Sequence, residues 1–273
     1  MKAQNLTVSL PYKGCDKNCP YCVSSMTGYL KANWRLVLRN MNKVKYAARA
    51  AQVNSVLITA KGEPFLNFED LIYVLNEFRE FPDCEVQTNG IILNREQNQM
   101  VPKLFSHGLD IVAFSVDSLE QFYAYESLFA LIKASGMNSR VALNVTDGLP
   151  DDISLVKLVD MCQERDIIQL LIRNITKPHS ADDAHRAARW IADNTRKGIF
   201  GKLAAEFAKL KKTSRRIRRL QYGIESYNIQ GVSVTISDYC IQDSHGDDDI
   251  RSLIFQEDGH LYTAWDDETS LLF

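Results

Sequence analysis

The sequence predicts an α/β fold built on a parallel sheet, and three observations carry that reading. Six strand-like runs alternate with amphipathic helix-like stretches at intervals of about 30 residues. The runs are mostly continuous apolar stretches, which suits strands covered by helices on one face and by a filled core on the other. From Gly201 the pattern shifts to strand-like stretches broken by turn signals, read as an antiparallel tail. An open doubly wound sheet and a partial barrel both satisfy this grammar.

Taken in order, "LTVSL" (Leu6–Leu10) is a short strand that leads into a cysteine-rich loop. A helix is expected over Lys31–Ala51, with Trp34, Leu38, Met41, Lys45 and Ala48 on one stripe widened by Val37 and Val44. "SVLITA" (Ser55–Ala60) is the second strand, and Phe68, Leu71, Ile72, Leu75 and Phe78 mark the next helix. "CEVQT" (Cys84–Thr88) precedes a helix from about Asn94 to His107, and "DIVAFSV" (Asp110–Val116) one that ends near Gly136. "RVALNV" (Arg140–Val145) comes before a helix starting at Asp151 or Asp152, and "IIQLLI" (Ile167–Ile172) before a helix over Ala184–Asn194. In the tail, "GKLAAEFAKLKK" is helical, and "EDGH" around Asp258–Gly259 signals a hairpin, because glycine relieves the cost of a positive φ. Residues 1–200 are thus expected to form the core and 201–273 a tail packed on it.

Composition narrows the class. With 45% hydrophobic and 24% charged residues over 273 positions, the chain can bury a sizeable core. A net charge of -2 implies no general attraction to nucleic acid. The sequence holds no apolar run of about 18 residues, and its N-terminus lacks the apolar stretch of a signal peptide, so a cytoplasmic protein without membrane contact is expected. Six cysteines in 273 residues do not make a disulfide scaffold, and Cys84, Cys162 and Cys240 lie far apart.

Cys15, Cys19 and Cys22 stand within one short stretch, "CDKNCPYC". Zinc prefers four ligands, and only His107 or Cys84 offers itself as a fourth; a redox dithiol would leave Cys15 unexplained. An iron-sulfur cubane held by three thiolates makes better sense of the number, because it leaves one iron open to a substrate or cofactor. A loop after the first strand also puts these thiols at the C-terminal mouth of the sheet, the usual active face.

The spacing Cys15-x3-Cys19-x2-Cys22, with Tyr21 before the last cysteine, resembles the radical S-adenosylmethionine (SAM) superfamily. The resemblance covers roughly Leu6–Arg173 and implies a partial parallel (β/α)6 barrel. It also implies a [4Fe-4S] cluster whose open iron binds SAM and, once reduced, cleaves it to a 5'-deoxyadenosyl radical. "TAKGEP" (Thr59–Pro64) looks like the family's Gly-Gly-Glu-Pro segment, with Lys61 in the first glycine's place, where a positive φ would strain it. By that match Gly62 and Glu63 approach the methionyl ammonium, a carboxylate being the fitting partner for it. "QTNG" and "FSVDS" resemble stretches of molybdenum-cofactor-type members. They assign Asn89 to the cavity lining, Ser115 to the methionyl carboxylate and Tyr21 to the adenine side. Asn144 and Arg173, ending strands five and six, are expected to face the same cavity.

Other residues are candidates on weaker grounds. Asp117 is a possible substrate contact, although with Ser118 it reads equally as a helix cap. The run Lys209, Lys211, Lys212, Arg215, Arg216, Arg218 and Arg219 could grip phosphates of a nucleotide or of RNA, or be a solvated face. If it forms a strand, Arg216 or Arg218 would face the mouth. Cys240 is a candidate hydrogen donor at the radical stage, and Tyr262 or Trp265 could stack on a ring. The expected reaction is hydrogen abstraction from a small polar, nucleotide-like molecule, with an external reductant such as flavodoxin or ferredoxin supplying the electron. The alternatives are a peptide or protein substrate, modified or activated as a glycyl-radical enzyme, and a non-enzymatic iron-sulfur or zinc module. A peptide would require an open groove rather than a capped cavity.

Overall fold

Strand β1 (Ala3–Leu10) turns Leu6, Val8 and Leu10 into an outer apolar layer, whereas Thr7 is buried facing an interior cavity. The computed structural model, which describes residues 2–178, 180–195, 197–219, 224–238 and 250–273, repeats this division along the sheet. β2 (Ser55–Ala60), β3 (Asp83–Thr88), β4 (Ile111–Val116), β5 (Asn138–Asn144) and β6 (Gln169–Arg173) follow side by side in chain order, each parallel to the last. A doubly wound sheet would reverse its order partway; this one does not, so the choice falls on the partial barrel.

The helices are α1 (Val23–Thr27), α2 (Trp34–Ala50), α3 (Phe68–Phe78), α4 (Ile91–Arg95), α5 (Gln97–Ser106), α6 (Leu119–Ala124), α7 (Glu126–Ala134), α8 (Leu155–Gln163), α9 (Arg186–Asn194) and α10 (Lys197–Leu210). Together α3 and α7 bury Leu71, Val74, Leu75, Phe78, Leu128, Phe129 and Ile132. Each such side chain contributes about 1.5–3 kcal/mol of hydrophobic stabilisation. The α2 stripe differs from the expected one. Val37, Met41, Val44 and Ala48 are buried, but Leu38 is 43% exposed and Lys45 leaves the core to pair with Glu77 at 2.6 Å. Helix α8 begins later than Asp151, because Ser154 adopts an extended backbone and its side chain accepts from Lys157 N at 3.2 Å.

The inner face corrects the expectation of a filled core. Asn5, Thr7, Thr59, Asp83, Glu85, Gln87, Arg140, Gln169, Arg173, Ser233 and Thr235 line a cavity of about 660 Å³. The strands do alternate, with polar residues inward beside Leu57, Ile111 and Leu171. Serine, threonine and alanine on the inner face made the runs read as continuously apolar.

The tail is also more than an antiparallel appendage. β7 (Arg215–Arg219), β8 (Glu225–Ile229) and β9 (Val232–Ser237) form an antiparallel meander, but β9 lies parallel to β6. β10 (Ile250–Phe255) and β11 (Leu261–Tyr262) form the expected hairpin, yet β10 lies parallel to β1. The sheet order is therefore β11-β10-β1-β2-β3-β4-β5-β6-β9-β8-β7, and tail strands extend the barrel at both ends. Gly259 takes φ 86° in the hairpin turn, and a Cβ there would stand 2.7 Å from Val37 N, so the turn seats directly on α2. Among the described residues no helix is long and apolar enough to cross a membrane.

Candidate active site

The cysteine loop leaves β1 at the C-terminal mouth of the sheet. Cys15 is exposed, Cys19 and Cys22 are half-buried, and Cys22 N donates to Cys19 O at 3.1 Å. Burial pushes the Cys19 thiol up to about 11, with Lys17 pulling the other way. Among the described residues no group of three His, Cys, Asp or Glu side chains is gathered as a ready metal site. The chemistry of the donors nonetheless fits a thiolate-ligated cluster. Three thiols come from one loop, and Asn89 Nδ2 stands 3.7 Å from Cys15 Sγ as a donor to sulfur. The suggested zinc completions do not fit. Cys84 is buried in the outer apolar layer with its thiol on Phe78 O, and burial pushes it up to about 12. His107 is half-buried at the C-cap of α5, Nδ1 2.8 Å from Lys103 O.

Gly62 is where the second strand's loop meets the cysteine loop. A Cβ on it would lie 2.0 Å from Gly14 O, and the neighbouring Glu63 N donates to that same oxygen at 2.9 Å. The backbone approach that glycine permits is thus to the ligand loop. Lys61 carries no positive φ, which corrects the expected strain; its Nζ donates to Gly28 O at 2.7 Å.

Glu63 is 3% exposed. Its Oε1 accepts from Thr88 Oγ1 at 2.7 Å and Phe65 N at 3.1 Å, and its Oε2 accepts from Asn89 N at 2.9 Å. Burial outweighs these bonds and raises its carboxyl to about 7. Asn89 reaches back to the cysteine loop, with Nδ2 2.7 Å from Asp16 Oδ1. Ser115 Oγ accepts from Asn144 Nδ2 at 3.0 Å, which joins the ends of β4 and β5. Asp117 binds the ligand loop twice, accepting from Tyr21 OH at 2.5 Å and pairing with Lys17 at 3.0 Å. The Tyr21 ring lies against Trp190 of α9, centroids 5.4 Å apart. Gln121, which the sequence did not single out, ties this group together through Lys17 Nζ, Asn89 O and Ser115 O.

Arg173 and Arg218 line the cavity, as do Arg140, Arg251, Lys61 and the carboxylates of Asp83 and Glu85. Arg140 is paired with Glu85, whose carboxyl is raised by burial. Arg216 points away from the cavity: a bulge between Arg216 and Arg218 breaks the alternation, and Arg216 pairs with Glu225 at 2.9 Å. The strand β7 is exposed along its length, and Lys211 also pairs with Glu225. Tyr262 does not line the cavity; it is buried and donates to Asp258 at 2.7 Å, whereas Trp265 does line it. Cys240 lies outside the described residues.

The ligand stretch is held mainly by polar anchors, beside the ring contacts of Tyr12 with Tyr29, centroids 4.2 Å apart, and of Tyr21 with Trp190. From Pro11 to Leu36 no residue is buried. One anchor that sequence reasoning missed is Glu257, 0% exposed beyond β10. Its Oε2 accepts from Tyr12 N at 2.7 Å and its Oε1 from Leu30 N at 3.2 Å. An acid preceding the Asp-Gly turn was visible, but no spacing linked it to the loop.

Comparison with known proteins bears on the family and the fold. A GTP 3',8-cyclase of Clostridium acetobutylicum is 34% identical over 108 residues, 39% of this chain and 32% of that protein. Its counterpart in Staphylococcus saprophyticus is 26% identical over 172 residues, 56% of this chain and 49% of that one. The chain thus spans half or less of the length of these curated relatives. Among solved structures, native anSMEcpe with bound AdoMet shares the fold at TM-score 0.60 and 15% identity, covering 98% of this chain and 76% of that one. Streptococcus suis SuiB bound to precursor peptide SuiA does so at TM-score 0.57 and 15% identity, covering 97% and 60%. The profile of the radical SAM superfamily matches residues 9–203, more than half of the sequence, and the chain belongs to that superfamily.

Proposed function

We propose that this radical SAM enzyme abstracts hydrogen from a peptide or protein segment. The observation that carries the reading is the unclosed sheet. Among the described residues β7 and β11 are its two ends, and the cavity is lined from both, by Ile217 and Arg218 on one side and Thr263, Ala264 and Trp265 on the other. A slit of this kind admits an extended chain, which a capped pocket does not. The shared fold with SuiB, a structure that holds a precursor peptide, supports the same choice.

When bound, the cluster and SAM supply the hydrogen-abstracting 5'-deoxyadenosyl radical. The chain's own part is placement. Cys15, Cys19 and Cys22 hold the cluster, and Glu63 orients the methionyl ammonium with an oxygen fixed by Asn89 N. Ser115, Asn144 and Arg173 stand on the carboxylate side, and Tyr21, Asn89 and Asp117 hold the ligand loop against β3 and β4. The polar inner wall receives the substrate, and the tail strands together with a substrate seated in the slit limit the access of bulk water and rival hydrogen donors. A flavodoxin or ferredoxin is the fitting electron source.

A second reading, a small anionic nucleotide-like molecule, is favoured by the guanidinium groups of Arg140, Arg173 and Arg218 on the cavity wall and by the stretch similar to GTP 3',8-cyclase. One experiment separates the two. Anaerobically reconstituted, reduced protein is given SAM together with deuterated peptide pools or deuterated nucleotide pools. Deuterium in 5'-deoxyadenosine from the peptides alone supports the first reading; deuterium from the nucleotides alone replaces it with the second.

A further inference from the structure

The loop that carries the three thiols has no buried side chain to fix it, yet three sulfurs must stay within reach of one cluster. Where the polar ties go is therefore decisive. Asp117, Lys17, Tyr21 and Asn89 hold its middle, and Gly14 O is tied to Glu63 N. The two stems are tied by Glu257 alone among the described acids: one carboxylate oxygen takes Tyr12 N, ahead of Cys15, and the other takes Leu30 N, beyond Cys22. The carbonyl of Glu257 accepts a third bond, from Asn33 N at 2.9 Å. Lys61 secures the same exit stem through Gly28 O. Its ammonium feels the charges of Glu257, Asp258 and Asp266. The lysine that departs from the family's glycine thus has a defined structural task.

We propose that Glu257 and Lys61 are positioning residues for the iron-sulfur site, closing the two stems of the ligand loop so that Cys15, Cys19 and Cys22 converge on one cluster. This rests on the reading that the loop holds a cluster, and the test keeps the two apart. In the metal-free full chain, hydrogen exchange of the Tyr12 and Leu30 amides reports the tie directly. Glu257→Gln turns an NH2 toward one of these donors, so at least one of the two amides should exchange about tenfold faster, while the Asn89 amide, held by Glu63, keeps its protection. In the reconstituted protein the same variant should lose iron to a chelator about tenfold faster, under conditions where its metal-free form is folded. Lys61→Met should act in the same direction on iron loss, and Lys61→Arg should restore the parental rate.

Unchanged exchange at both amides in Glu257→Gln overturns the tie. Faster exchange with parental iron retention in both Glu257→Gln and Lys61→Met overturns the positioning role. If the parent itself never takes up iron, the cluster reading fails and the proposal with it, even where the exchange result stands. If Glu257→Gln does not fold, Lys61→Met decides alone, because Lys61 is only half-buried.

Discussion

On the β2–β5 side of the barrel, Glu63, Asn89, Ser115 and Asn144 are buried or half-buried and each is hydrogen-bonded to a named partner. On the β7 side, Arg218 faces a cavity of about 660 Å³ and β7 is exposed throughout. The first wall is preorganised for a fixed ligand, where displacing a group by an ångström is costly. The second is open and charged, suited to a guest of variable shape. On the proposed function the contrast divides the site into a cofactor side and a substrate side, and the variants below test that division.

The largest effect is expected at the ligand loop. Cys19→Ala should abolish iron loading and 5'-deoxyadenosine formation together, measured by iron content and chromatography, and retained turnover would break the assignment. Next is Gly62→Ala, whose Cβ would stand 2.0 Å from Gly14 O. It should destabilise the metal-free protein by about 1–3 kcal/mol in urea melts and lower iron loading as the loop is displaced.

Glu63 gives a pH signature. Its carboxyl is raised from 4.5 to about 7 by burial, so the fold favours its protonated form. Its contribution is full below about 4.5 and is lost as pH rises through about 7, a difference on the order of 3 kcal/mol. Subtracting the Glu63→Gln profile from the parental one, over pH 4–8 in metal-free protein, should reveal that downward slope; a flat difference would mean the carboxyl is not raised.

On the open wall the effects should be smaller and differently placed. Arg218→Ala should raise the KM of an anionic substrate about tenfold while SAM affinity moves less than about twofold. Arg216→Ala, outside the cavity and paired with Glu225 at an exposed site, should change stability by no more than about 0.5 kcal/mol in a urea melt. Equal effects from the two arginines would erase the distinction that the β7 bulge draws.

The same division explains what could be read in advance. Outer faces are legible, because Leu6, Val8, Val56, Ile58 and Val86 mark strands through their burial against helices. The three cysteines are legible because local spacing carries the ligand set. The polar inner face was misread, since Thr7, Ser55 and Thr59 blend into apolar runs. Glu257 was missed for a different reason: its bond to Tyr12 spans 245 residues, and no periodicity or motif encodes such a contact. Lys61 looked like a strained replacement, whereas its φ is ordinary and its ammonium has a carbonyl to hold. The parallel joining of β10 to β1 is equally non-local and gave no pattern to find.

That joining has a consequence for biogenesis. The strand feeding the ligand loop waits for a neighbour synthesised some two hundred and more residues later, and only then are Tyr12 and Leu30 clasped. Loop closure over such a separation is slow. On the proposed reading, stable metallation therefore waits for the synthesis of β10, and nascent chains lacking β10 should emerge with their thiols still free.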